Sequence, residues 1–110
     1  MKLNLGKDAP VVTNEHGGKQ SALDCSIVRL PPNATIAVGC VLAYGASKYP
    51  DGEDGTPNWH AISVRDHLNH LLTHVMAYLA GDTQDDHLEH AACRAMMALE
   101  RKIMDDRQSE

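Results

Sequence analysis

The sequence predicts an all-α protein: a small bundle of about three main helices with a polar N-terminal arm and a long loop. Two helical patterns of apolar residues fill the second half of the chain, separated by a short turn at residues 81–83. The chain has 110 residues and no Phe, so its core is modest and partner subunits would help to bury it. We therefore expect a homo-oligomer, a dimer or a tetramer.

Composition narrows the function classes. Hydrophobic residues make up 43% and charged residues 23%, as in a folded single domain, here 1–110. The net charge of −5 argues against a nucleic-acid polymer as partner but allows a single nucleotide held through a cation. The three cysteines lack C-x-x-C spacing and indicate a reduced, cytoplasmic protein. No apolar run approaches the roughly 18 residues of a membrane span, so no membrane partner is expected.

The N-terminal arm, residues 1–30, is polar and has no sustained hydrophobic period. Its Gly17-Gly18-Lys19 is interpreted either as part of a surface arm or as a flexible loop whose N–H groups and Lys19 approach phosphate. The segment 26–30 is predicted to be extended and ends at two prolines.

Three helices are predicted, over residues 33–45, 62–80 and 84–106. Asn33 and Ser63 are the expected N-caps of the first two, and Thr83 opens the third with a pattern similar to a capping box. The predicted apolar face of the third helix comprises Leu88, Ala92, Ala95, Leu99 and Ile103. The loop before the second helix contains Trp59, which either anchors the loop or offers a face on which a nucleobase stacks.

Histidines and acids concentrate around the turn between the last two helices. His67, His70 and His74 form a stripe along the edge of the second helix, and Asp82, Asp85, Asp86 and Glu89 follow. The acids are either helix caps or metal ligands, because a cap needs only one or two of them. His74 and His90 bracket the acidic turn and favour a metal site, whereas His67 and His87 are interpreted as a polar helix edge without metal.

Several segments in this order resemble a bacteriophage-rich family of dATP/dGTP diphosphohydrolases. The segments are Gly45-Ala46-Ser47-Lys48-Tyr49, Asn58-Trp59, His74 with Gly81-Asp82, and His87-Leu88-x-His90-Ala91. The family is similar to the MazG-like all-α nucleotide pyrophosphatases. The resemblance covers roughly residues 15–100 and implies Mg²⁺ or Mn²⁺ as cofactor, a purine nucleotide as partner and, for a phage-encoded chain, the host cytoplasm as location.

The resemblance also implies roles for individual residues. The metal ligands would be His74, Asp82, Asp85, Asp86 and His90. Apart from the resemblance, Glu89 and Asp86 are the candidate catalytic residues, as carboxylates that take the proton of an attacking water. The nucleotide would contact Lys19, Lys48, Asn58, Trp59 and His70. Thr73 stands where the family has Arg, Asp82 where it has Glu, and the first helix reads Ala34-Thr35-Ile36-Ala37 without the E-x-x-E of related pyrophosphatases.

Three function classes follow. The first is a metal-dependent diphosphohydrolase that acts on purine (d)NTPs and releases monophosphate and pyrophosphate. The second is a non-catalytic phage protein that sequesters a host signalling nucleotide, for which the first-helix glutamates are unnecessary. The third is a helical assembly protein whose histidines lie only at the surface.

Overall fold

The computed structural model describes residues 8–109 and confirms a small, mainly helical protein. Its elements are strands β1 (Val11–Thr13) and β2 (Lys19–Ser21), a 3₁₀ turn at Ile27–Arg29, helix α1 (Pro32–Lys48), a second 3₁₀ turn at Asn58–Ala61, and helices α2 (Val64–Leu79) and α3 (His87–Gln108). The chain divides into two units at Leu30. Within the described range, no helix is both long and apolar enough to cross a membrane.

The first unit contains a β-hairpin, where the sequence predicted only a polar arm. Strands β1 and β2 pair antiparallel, with Val11 opposite Ser21. The side chain of Asn14 accepts the N–H groups of His16 and Gly18, and Gly17 takes a positive φ of 83° that favours glycine. The two glycines therefore serve the hairpin turn, and the N–H of Gly18 is already bonded within it.

The segment predicted to be extended at residues 26–30 is instead a 3₁₀ turn. The segment satisfies its groups locally, with Arg29 donating to the carbonyl of Ser26 and Leu30 to that of Ile27.

The predicted boundaries of α1 and α2 are close to those observed. Helix α1 begins one residue early because Pro32 suits the first helical turn, so Asn33 is not its N-cap. Ser63 caps α2 as predicted, accepting the N–H of Asp66 at 3.1 Å. Helix α2 ends in a Schellman motif, in which Asp82 donates to the carbonyl of Ala77 and Gly81 adopts a φ of 87°.

The predicted start of α3 at residue 84, after Thr83, is wrong, because the helix begins at His87. Asp86 occupies the N-cap position and makes no capping hydrogen bond through its side chain. The neighbouring acids are engaged by histidines instead: Asp82 pairs with His87 and Asp85 with His90. These contacts hold residues 82–86 in an irregular turn.

The apolar face predicted for α3 is also wrong by one position around the helix. Helix α3 packs against both α2 and α1, and its buried residues are Ala91, Cys93 and Ala98. Leu88 and Leu99, which were predicted to face the core, are more than half exposed. Small residues at the packed positions let the helices approach closely, while the larger apolar side chains lie outside.

Large apolar side chains share one exposed face of the α2–α3 pair. They are Leu68, Leu72, Met76 and Leu79 on α2, and Leu88, Met96 and Leu99 on α3. On each helix, members of this set directly follow residues that are buried between the helices, as Leu68 follows His67 and Leu99 follows Ala98. In two right-handed antiparallel helices, that offset turns the members on both helices to the same side of the pair. We call this set the apolar face.

Candidate functional site

The centre of the candidate site is a cluster of two histidines and one aspartate at the α2–α3 turn. One ligand atom from each of His74, Asp85 and His87 lies within 4.8 Å of the others. The Nδ1 atoms of His74 and His87 are 2.9 Å apart, a separation at which they share either a proton or a cation. His74 of α2 and Asp85 of the turn before α3 thus lie close together.

Asp82 orients His87 from the side away from His74. Its carboxylate lies 2.5 Å from Nε2 of His87. A carboxylate only accepts, so the proton of neutral His87 is on Nε2 and its Nδ1 presents a lone pair towards His74. A carboxylate that fixes a ligating histidine in this way is a recurring feature of metal sites. The Schellman motif at Gly81 places Asp82 for this contact.

His90 lies on the other side of the cluster. Its ring stacks on that of His74 with centroids 5.0 Å apart, and its Nε2 is 3.3 Å from a carboxylate oxygen of Asp85. The structure thus brings Asp85, His87 and His90 next to His74, while Asp82 lies on the far side of His87. The role of the predicted residues as metal ligands stays a prediction. Asp86 is exposed at the start of α3 and is not among the three clustered ligands.

Electrostatics favours neutral His74 and ionised Asp85. Burial, followed by the charges of His90 and His87 when these are protonated, holds the pKa of His74 below its usual value. Partial burial opposes ionisation of Asp85, but the N–H of Asp86 and the three surrounding imidazoles outweigh it and lower the pKa of the carboxyl. Neutral imidazole and ionised carboxylate are the forms that bind a cation.

The cluster opens into a cavity of about 690 Å³ within the helical unit. Four of the predicted nucleotide-contacting residues line it, namely Lys48, Asn58, Trp59 and His70. Tyr44 and Tyr49 add aromatic surface, and Nζ of Lys48 lies 5.7 and 5.4 Å from their ring centroids. The fifth predicted residue, Lys19, belongs to the hairpin unit, where it donates to the hydroxyl of Thr13. Its role at a nucleotide stays a prediction.

The backbone of Trp59 is tethered to α2, whereas its side chain lines the cavity. Its carbonyl accepts from Nε2 of His67 at 3.1 Å, and its half-buried ring meets the ring of His60 edge to face. The anchoring and stacking interpretations therefore concern different parts of the same residue.

His67 differs from its interpretation as a polar helix edge, because its side chain is fully buried. It bonds Trp59 on one side and the guanidinium of Arg94 on the other. Arg94 also lines the cavity and was not singled out in the sequence. An arginine seven residues after His87 lies on the same helical face, two turns further on, and this spacing was the available signal.

A second, smaller cavity of about 520 Å³ lies beside the first, between α1 and the start of α3. The two predicted catalytic acids, Asp86 and Glu89, line it together with Asp85 and His90. The α1 residues on this side are Ala37, Cys40, Val41 and Tyr44, none of which carries a carboxylate.

A comparison with protein families identifies one match to this chain. The family model described as dATP/dGTP diphosphohydrolase, N-terminal, matches residues 14–109, which is nearly the whole sequence. No curated protein and no solved structure shows significant similarity. The match extends over all three helices and every residue of the cavity and the histidine cluster. The chain therefore belongs to the dATP/dGTP diphosphohydrolase, N-terminal family.

Proposed function

We propose that the protein is a metal-dependent diphosphohydrolase of purine (d)NTPs, releasing a nucleoside monophosphate and pyrophosphate. The observation that carries the proposal is a single cavity that joins an aromatic side, with Trp59 and Tyr44, to a side with His74 and Asp85, whose residue types are suited to bind a cation. A nucleotide needs both, because its base stacks on aromatic rings and its phosphates bind cations.

His74, His87 and Asp85 would hold the cation, and their chemistry fits one. Two imidazoles and a carboxylate suit Mn²⁺ better than Mg²⁺, which prefers oxygen ligands. When bound, the cation would neutralise phosphate charge and polarise the phosphorus–oxygen bonds. Asp82 would hold the His87 ring in the ligating tautomer.

The remaining residues would bind the substrate and accept a proton. Trp59, Asn58 and Lys48 would bind the base and sugar side, with His70 beside them. Water would add to the α-phosphorus while the bridging bond to the β-phosphate breaks, and pyrophosphate would leave. Glu89 or Asp86 would accept the proton of the attacking water, because both line the adjoining cavity together with His90.

The direct test is release of pyrophosphate from a panel of dNTPs with Mn²⁺ or Mg²⁺. We expect cleavage of dATP and dGTP that stops when a chelator is added. His87→Ala should abolish it, whereas His16→Ala should not, because His16 is an exposed histidine of the hairpin. If the wild type cleaves none of the dNTPs, the proposed enzymatic activity is rejected.

One observation favours a second function, sequestration of a nucleotide without cleavage. Helix α1 presents Ala37, Cys40 and Val41 to the acids of α3, so no carboxylate from α1 supports a second cation there. A protein of this kind would bind nucleotides tightly, and mass spectrometry of the purified protein would find one bound. Tight binding without pyrophosphate release would favour this function over the enzyme.

A further inference from the structure

Burial and hydrogen bonding define the state of His67. Its side chain has 0% exposure, so each ring nitrogen depends on a protein partner. The carbonyl of Trp59, 3.1 Å from Nε2, can only accept, and Nε2 therefore carries the proton. Nδ1 is then an acceptor, and the guanidinium of Arg94 donates to it at 3.2 Å. The ring thus links the loop that carries Trp59 to an arginine of α3.

Arg94 lacks the partner that a half-buried arginine usually has. Among residues 8–109, no carboxylate oxygen lies within 4 Å of its guanidinium, whereas Arg101 and Lys102 on the same helix pair with Asp105 and Asp106. Its one protein hydrogen bond through the side chain goes to a neutral imidazole, which leaves its charge uncompensated. A partly desolvated charge without a counterion is costly, and an anion in the cavity would offset that cost.

The position of Arg94 indicates which anion this is. On α3, Arg94 follows one turn after His90, which stacks on His74. Its guanidinium bonds the ring of His67, whose other nitrogen bonds the carbonyl of Trp59, and Arg94 lines the same cavity as Trp59 and His74. It therefore lies between the aromatic side of the cavity and the histidine cluster. The part of a nucleotide between its base and a bound cation is its phosphate chain.

We propose that Arg94 binds the phosphate chain of the nucleotide directly and that His67 is the positioning residue that aims its guanidinium into the cavity. The guanidinium forks its N–H groups between the imidazole and phosphate oxygens, a geometry that lysine lacks. This inference rests on the proposed function, since it requires that a nucleotide enters the cavity.

The test measures binding by calorimetry with two ligands in the presence of Mn²⁺. One is dGTP with a methylene bridge between the α- and β-phosphates, which resists cleavage there, and the other is dGMP. Arg94→Gln should weaken binding of the triphosphate analogue about 10- to 100-fold, as expected for loss of charge-assisted hydrogen bonds, and that of dGMP much less. Arg65→Gln is the matched control, because Arg65 is exposed on α2 and its loss changes the net charge equally.

Two variants of His67 separate positioning from simple packing. His67→Asn places an oxygen where Nδ1 stands and keeps an acceptor for Arg94, whereas His67→Gln extends its amide to the Nε2 position and keeps only the donor to Trp59. We expect His67→Asn to bind the triphosphate analogue more tightly than His67→Gln. Equal loss in both, at equal melting temperatures, would reject the positioning role.

The outcomes separate this inference from the proposed function. If the wild type binds neither ligand, the nucleotide function itself is rejected. If the wild type binds the analogue and Arg94→Gln binds it equally well, the function stands and the role of Arg94 is rejected. Should Arg94→Gln fail to fold, Arg94→Lys retains the charge and gives the same test: it should still bind less tightly than the wild type because the forked geometry is lost.

Discussion

His74 and His87 acquire their roles from the groups around them. His74 is partly buried among other imidazoles, and His87 is oriented by a carboxylate, so both present nitrogens to one point. The sequence singled out His74 as a candidate ligand, whereas His87 was interpreted as part of a polar helix edge. Spacing along α2 predicted the position of His74, but the turn that ends α2 decides that His87 faces it.

Removing His87 should remove the cation site without unfolding the protein. A cation present at a hundredfold excess over its Kd stabilises the folded state by about 2.7 kcal/mol. We expect Mn²⁺ to raise the melting temperature of the wild type and to leave that of His87→Ala unchanged. Mn²⁺ should still raise the melting temperature of Asp82→Asn, but the affinity of this variant for Mn²⁺ should be about 10- to 100-fold weaker, because Asp82 only orients His87. Equal shifts in all three proteins would contradict the site.

Trp59 is the only tryptophan, so its fluorescence reports on the cavity alone. We expect dGTP with Mn²⁺ to change the emission of the wild type. Trp59→Ala should weaken nucleotide binding by about 1–3 kcal/mol if the base stacks on the ring. A large loss of folding stability with unchanged affinity would show that the ring only anchors its loop.

Stability should fall in mildly acidic solution because of His67. Burial, opposed by the hydrogen bond to Trp59 and aided by the charge of Arg94, lowers the pKa of His67 from its ordinary value of 6.5. The unfolded state therefore binds a proton more readily than the folded state as the pH falls below 6.5, and protonation favours unfolding. Thermal unfolding between pH 7.5 and 5.5 should show a falling midpoint. A smaller fall in His67→Asn would identify the residue, and an equal fall would assign the effect elsewhere.

At the scale of elements, the turn between α2 and α3 depends on Gly81. Its φ of 87° lies in the left-handed region, where a side chain costs about 1–2 kcal/mol. Gly81→Ala should therefore lower the free energy of unfolding by that amount and also weaken Mn²⁺ binding, since the turn places Asp82. The control is Gly39→Ala within α1, where a Cβ meets nothing within 4 Å. That change should stabilise the protein by about 0.5–1 kcal/mol, as alanine does in a helix. Urea titration would measure both.

The sequence predicted which helices the protein has better than it predicted the residues at which they begin and end. Hydrophobic period and Ser63 were enough for α2, because a cap and an apolar stripe are local signals. The start of α3 was predicted too early, because Asp82 and Asp85 bind histidines rather than capping a helix, and that choice depends on contacts across the turn. The hairpin was missed because its strands are only three residues long and fully exposed, so they carry no alternating burial pattern.

At the scale of the whole molecule, the apolar face predicts self-association. The helical unit buries few large apolar side chains, while Leu72, Met76 and Leu99 share one exposed face. A second copy that packed its own apolar face there would complete a four-helix bundle. We expect sedimentation to show a dimer or larger species at tens of micromolar. Met76→Glu should dissociate it, and Val28→Glu, in the first unit and 92% exposed, should not. A compact wild-type monomer would contradict the prediction.

The residues around the cavity are unevenly distributed along the chain. All the histidines and acids of the cluster come from one continuous stretch, residues 74–90, whereas the aromatic residues Tyr44, Tyr49 and Trp59 precede α2. Under the proposed function, changes in the preferred base would therefore accumulate in residues 44–59 without altering the proposed cation ligands. Base recognition and cation binding would then evolve at different rates, and we expect variation in substrate choice among relatives to concentrate in that earlier segment.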